Sequence, residues 1–317
     1  MTRAARIGGG AVAALLGIGA LAYAVLVATA ATPAAHVQRY LDALARDDLV
    51  TAATLAGLEP PTAMPLGDEG APSIRRVISS TDSPDGTVAV TAEYGSDTDA
   101  VQVTFTLEPA PPTLGVIPAW AFVEPPVATL EVAADRHDVV AVTTRSFVAD
   151  AAGLPVTVSV FVPSRVGVRL DEPLLVAEPR TLRVGAEVSD SVITLAVEPS
   201  ERLQRAVQAE VERLLTECAE QAVLQPTGCP FGVTISDRVV GEPEWRLDTL
   251  DTVTIEPAER PGAWKLRAEG SVQLVVDVQK LFDGTVSTRD ELMGFVVRGE
   301  VTITDRQPEI RLSSAGG

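Results

Sequence analysis

The sequence predicts an α+β fold: an N-terminal apolar helix, then two units that each pair a helix with an antiparallel sheet, flanking a small all-β sandwich. Three observations carry this reading. An uncharged run extends from Ile7 to Ala31. Helical periodicity occurs in two later places, around Val37–Leu44 and around Leu203–Ala222. Almost everything else alternates apolar and polar residues with period two, in a chain that is 46% hydrophobic but only 4% aromatic.

The first element is the uncharged run. After the short segment 1–6, residues 7–31 at about 1.5 Å per residue exceed the roughly 30 Å hydrocarbon core of a bilayer. Its glycines (Gly8, Gly9, Gly10, Gly17, Gly19) are tolerated in a transmembrane helix, where lipid offers the backbone no competing partner. Two readings compete. Val27-Ala28-Thr29-Ala30 has the small-x-small ending of a cleaved signal peptide, whereas the length of the run favours an uncleaved signal anchor. Arg3 and Arg6 keep the short N-terminal side cytoplasmic. The expectation is a single-pass plasma-membrane protein whose remaining domains are extracellular, with the membrane as a partner through that helix. The formal net charge of −18 repels nucleic acid, so no nucleic-acid partner is expected.

Residues 32–126 form the next expected unit. Val37, Tyr40, Leu41 and Leu44 share one helical face, Asp47 or Asp48 caps a second short helix, and Gly57 ends it. From Ile74 the period becomes two: SIRRVISS, TVAVTAEY and AVQVTFTL read as consecutive antiparallel strands with turns at Asp85-Gly86 and Gly95–Asp99. A last strand, Pro118–Val123, carries Trp120 and Phe122 and covers the helix. The helix YLDALARDD, a second short helix and a meander ending in an aromatic strand resemble an NTF2-like (cystatin-like α+β) domain of exported single-pass actinobacterial membrane proteins. That resemblance implies a cone between helix and sheet, with Tyr40, Trp120 and Phe122 as candidate pocket-lining residues or as core.

Residues 127–199 lack a helical period. ATLEVAA, DVVAVTTRSFV, LPVTVSVFV, VGVRLDEPLL, TLRVGAEV and SVITLAVEP are short strands at the spacing of a β-sandwich. Residues 200–317 begin with a helix: Ser200 is the N-cap, Glu201 pairs with Arg205 one turn on, and Leu203, Val207, Val211, Leu214, Cys218 and Ala222 form the apolar stripe. DTVTIEP, AWKLRAEG, VQLVVDVQ, MGFVVRGEVTITD and EIRLS follow as strands. The order of the first unit is repeated, so a second NTF2-like domain is expected.

Candidate chemistry is sparse. His36 starts the first helix, and His137 lies in DRHD, which reads as a turn between strands. No H-E-x-x-H, C-x-x-C or calcium-loop order occurs, so no metal is expected; DGTVSTRDE, Asp283 to Glu291, reads as a polar loop. No nucleophile motif or phosphate loop occurs, and neither a catalytic residue nor a cofactor is assigned. Cys218 and Cys229 are the only cysteines. Cys218 falls on the apolar stripe, and Pro226 with Gly228 turns the chain back toward it. In an oxidising compartment such a pair is a structural disulfide, and Glu217 and Glu220 oppose the low-pKa thiolate a redox centre needs. The functional expectation is a membrane-anchored, extracytoplasmic, non-catalytic binding or scaffolding protein of the bacterial cell envelope, partnered by an envelope protein or a small apolar ligand. The alternatives are an NTF2-like enzyme or carrier for an apolar substrate, and a cleaved secreted form.

Overall fold

Strands dominate the molecule. In a computed structural model, 53% of the described residues are strand and 15% helix, which corrects the α+β expectation to a mostly β protein. The structure describes residues 29–58, 66–67, 72–98, 100–113, 115–185, 192–304 and 306–313. The physical reason for the correction is the composition already noted: β-branched residues in period-two runs outnumber helical stretches, and those stretches yield only three helices among the described residues.

The expected membrane anchor is also corrected. Among the described residues no helix is long and apolar enough to cross a membrane, and residues 1–28 lie outside the described ones. Ala31, the last residue of the expected span, is instead buried in the folded part, where its carbonyl accepts from the Trp120 indole at 3.1 Å. The single-pass plasma-membrane placement and the membrane as partner, both of which rested on that span, are withdrawn with it.

Helix α1 (Pro33–Ala45) starts at Thr32, whose hydroxyl accepts from the Ala35 amide, with Pro33 in the first helical turn where its missing N–H costs nothing. Helix α2 (Leu49–Leu55) is capped by Asp48. Strands β1 (Ile74–Asp82), β2 (Val88–Gly95), β3 (Val101–Thr113) and β4 (Ile117–Phe122) form an antiparallel meander in sequence order. The α1 helix lies on this sheet, pinned at its edge by an Arg75–Asp42 ion pair of 2.9 Å.

The middle of the chain forms three small sheets. Strands β5 (Val127–Ala134), β6 (Val139–Val142), β7 (Arg145–Val148), β8 (Val156–Phe161), β9 (Ser164–Arg169), β10 (Leu175–Ala177), β11 (Arg180–Val184), β12 (Val192–Leu195) and β13 (Val197–Pro199) assemble as β11-β9-β6-β7, β12-β5-β8 and β10-β13. The β12–β5 pair is parallel. These sheets share an apolar core with the first unit: Tyr40, Leu41, Phe105 and Leu107 belong to the same buried cluster as Leu130, Val160, Phe161 and Val166. Leu66 continues the connection through backbone bonds to Ser159 and Phe161 of 2.9 and 3.0 Å.

Helix α3 (Glu201–Ala219) is capped by Ser200, whose hydroxyl accepts from Leu203 N and donates to Pro173 O. Its buried stripe is Leu203, Val207, Val211, Leu215 and Cys218. Leu215 is fully buried in the place expected for Leu214, which is half-buried. Strands β14 (Arg238–Leu250), β15 (Thr254–Pro257), β16 (Ala263–Gln279), β17 (Val286–Thr304) and β18 (Gln307–Leu312) follow, ordered β14-β16-β17-β18 with β15 also on β16. Strand β14 was concealed by Gly241 and Pro243, which sit at a register shift between Val240 and Glu244. Strand β16 runs unbroken through Gly270, where a Cβ would meet Thr249 O at 2.5 Å and the Phe295 ring at 2.6 Å, so the glycine permits close approach instead of ending a strand.

Candidate functional site

The expected pocket of the first unit is occupied by its own side chains. Tyr40 is fully buried, and its ring meets Phe105, Phe122 and Phe161 edge-on at centroid distances of 6.1, 5.3 and 6.2 Å. Phe122 is 8% exposed, and Trp120 is half-buried with its indole donated to Ala31. Of the three candidate lining residues, the structure therefore brings Tyr40 and Phe122 together as core and places Trp120 beside the chain that enters α1. The two further members of this cluster, Phe105 and Phe161, were missed; Phe105 stood at an apolar position of AVQVTFTL, where the alternation had already marked it.

The Tyr40 hydroxyl joins two parts of the chain. It lies 2.8 Å from Val162 O and 3.2 Å from Pro126 O. A phenol has one proton, and Pro126 O already accepts from Val162 N at 2.9 Å, so the shorter contact takes it. Burial raises the Tyr40 pKa well above the usual phenol value and keeps that proton in place.

A cleft of about 610 Å³ lies between β3 and the start of β5. Thr104, Thr106, Glu124, Pro126, Thr129 and Val162 are among its lining residues, and the Tyr40 hydroxyl bonds to the carbonyl of one of them, Val162. None of Tyr40, Trp120 and Phe122 borders it. Its polar groups are hydroxyls and one carboxylate, which can accept and donate hydrogen bonds to a bound polar segment but do not form a nucleophile–base pair. The cleft was not legible beforehand because its walls come from separate strands.

His36 is buried at the start of α1. Its Nε2 lies 3.0 Å from Leu55 O, and its ring meets Phe122 edge-on at 5.2 Å. Desolvation lowers its pKa below 6.5, with Arg39 adding to the depression and the Leu55 carbonyl opposing it. The folded state thus prefers the neutral ring. Stability from this group is complete above the unfolded pKa of about 6.5 and is lost as pH falls through the lower folded value. Wild-type protein is expected to lose more stability than His36→Gln between about pH 7 and pH 5, read as urea midpoints; equal losses would remove His36 as the cause. His137, by contrast, occupies a turn, with Nδ1 3.0 Å from the Val139 amide.

At the other end, Cys218 and Cys229 are joined in a disulfide, with Cα atoms 5.8 Å apart. Both are buried. The returning loop inserts Phe231 between Trp245 and Phe295, at centroid distances of 5.0 and 5.6 Å, and the Trp245 indole donates to Val223 O at 2.8 Å. On the opposite flank of α3, Gln204 and Gln208 hold the Val253 backbone: Gln208 Oε1 accepts from Val253 N at 2.8 Å, and Gln204 Nε2 donates to Val253 O. Their i, i+4 spacing on the polar face was the available signal, unused in the sequence reading. Among the described residues, no group of three or more His, Cys, Asp or Glu side chains could hold a metal. The chain matches no family model, no curated protein and no solved structure.

Proposed function

We propose that the protein is a non-catalytic binding or scaffolding protein that works in an oxidising compartment, acting through its surface and not through an internal cavity. One observation carries this reading: the space between helix and sheet, where an enzyme or apolar-ligand carrier of the NTF2-like kind keeps its pocket, is filled by Tyr40, Phe105, Phe122 and Phe161. The corresponding space under α3 is filled by Leu203, Val207, Val211 and Leu215 with Trp264, Leu266 and Phe295. Packing of that kind leaves no volume for an apolar ligand without displacing core side chains, which costs several kcal/mol. The disulfide supports the compartment, since such bonds persist where thiols are not kept reduced. Kinship with NTF2-like domains is retained for the first unit alone, on its order of two helices and then a four-stranded meander.

Titration with a panel of apolar ligands, such as long-chain fatty acids and retinoids, tests the reading. The expected result is no rise in melting temperature at ligand concentrations of about 100 μM. A saturable rise of several degrees, which binding to the native state alone produces, would contradict it.

A further inference from the structure

The connection between α3 and β14 carries no regular structure. Residues 220–237 contain neither helix nor strand, and connections that long are uncommon in compact domains. Much of its hydrogen bonding is internal and travels with it. The Gln221 side chain accepts from Thr227 N at 2.8 Å and donates to Thr227 O at 3.4 Å, and Val233 N donates to Leu224 O at 2.9 Å. The loop reaches the rest of the fold through Cys229, bonded to Cys218 on α3, through Val223 O, which accepts from the Trp245 indole, and through the Phe231 ring against Trp245 and Phe295. Its last part, Val233 and Ile235, packs at the margin of the core.

The disulfide can be approached from one side. Cys229 borders a surface cleft of about 460 Å³ together with Pro226, Gly228, Pro230, Phe231 and Met293, and Cys218 is not among the lining residues. On the Cys218 side, Glu217 and Glu220 repel an incoming thiolate. Helix α3 has packing of its own, since Leu203, Val207, Val211 and Leu215 are fully buried in one cluster with Trp264 and Leu266.

We propose that Cys218–Cys229 is a redox latch: a dithiol reductant opens it in the folded protein, residues 220–232 move off the sheet, and α3 stays in place. A thiolate of the reductant attacks Cys229 Sγ, forming a bond to it as the Cys218–Cys229 bond breaks. Cys218 leaves as a thiolate and takes up a proton. The second thiol of the reductant then displaces Cys229, which is protonated in turn. Two electrons pass from the reductant, which ends as a disulfide, to the protein, which ends with two thiols. One indole hydrogen bond and one ring are then left to hold a segment whose every residue loses backbone freedom on ordering. Its departure uncovers Trp245 and Phe295, which are buried while the latch is closed.

This goes beyond the reading of a surface-acting protein, and its test involves no apolar ligand, so either can fail alone. Full-length protein is treated with dithiothreitol without denaturant, and amide exchange is followed by mass spectrometry. The expected result is two alkylatable thiols, exchange faster by roughly tenfold or more in residues 220–232, unchanged exchange in residues 203–215, and reversal on reoxidation. Glutathione disulfide exchange under the same conditions traps the monothiol on Cys229. The double variant Cys218→Ala, Cys229→Ala shows the reduced pattern with no reductant present. A bond that opens only in denaturant would overturn the proposal. So would trapping on Cys218, a reduced protein whose loop exchanges as slowly as before, or unfolding of α3 together with the loop.

Discussion

Tyr40→Ala is expected to cost about 3–5 kcal/mol, the range for removing a fully buried aromatic ring, measured as the change in unfolding free energy in urea. The ring contacts three phenylalanines contributed by β3, β4 and β8, so its loss opens a cavity where the first sheet meets the middle sheets. Tyr40→Phe separates the hydroxyl from the ring. It keeps the packing and leaves the Val162 carbonyl without its 2.8 Å donor, for an expected loss of about 1–3 kcal/mol. Because that bond holds the Val162 peptide, which lines the cleft, amide exchange at Val162 should accelerate in Tyr40→Phe. A loss below about 0.5 kcal/mol in Tyr40→Ala would mean that the aromatic cluster is not the junction described, since that is the size of a surface change.

Removal of the disulfide is expected to have the second large effect. Replacing Cys218 and Cys229 together by alanine should lower stability by about 3 kcal/mol in the chain-entropy account of a loop this short. The loss has a local signature as well. Phe231 is held between Trp245 and Phe295 by the returning loop, so tryptophan fluorescence should shift to longer wavelength in the double variant before global unfolding. A single replacement would leave an unpaired thiol and confuse the comparison, which is why both are changed. If the double variant matched the wild type in both stability and emission, the staple would be structurally idle.

Local chemistry was legible in the sequence, and partner choice was not. The Ser200 and Asp48 caps, the Glu201–Arg205 pair at 3.7 Å and the cysteine pair all depend on residues close to each other along the chain. Helical phase put Cys218 against the core for the same reason. The Tyr40 hydroxyl meets Pro126 and Val162 across 86 and 122 residues, and no local pattern encodes that distance. The middle unit shows the same limit: alternation marked its strands, but three small sheets with one parallel pair result from which strands find each other. Strand β14 and the first half of β17 were lost to residues that usually mark turns. Gly241 and Pro243 sit in a bulge, and Asp283-Gly284 is the tip of a hairpin whose polar first half is strand because β16 pairs with all of it. The three described helices stand where the helical periodicity put them, but the α+β label gave their helix-then-meander order more weight than the surplus of period-two runs.

Native mass spectrometry of the protein, taken from its producing cells without denaturation, tests the central claim most directly. Filled interiors and a working surface predict masses that the polypeptide alone explains. A small apolar molecule retained in fixed proportion to the chain would contradict the account.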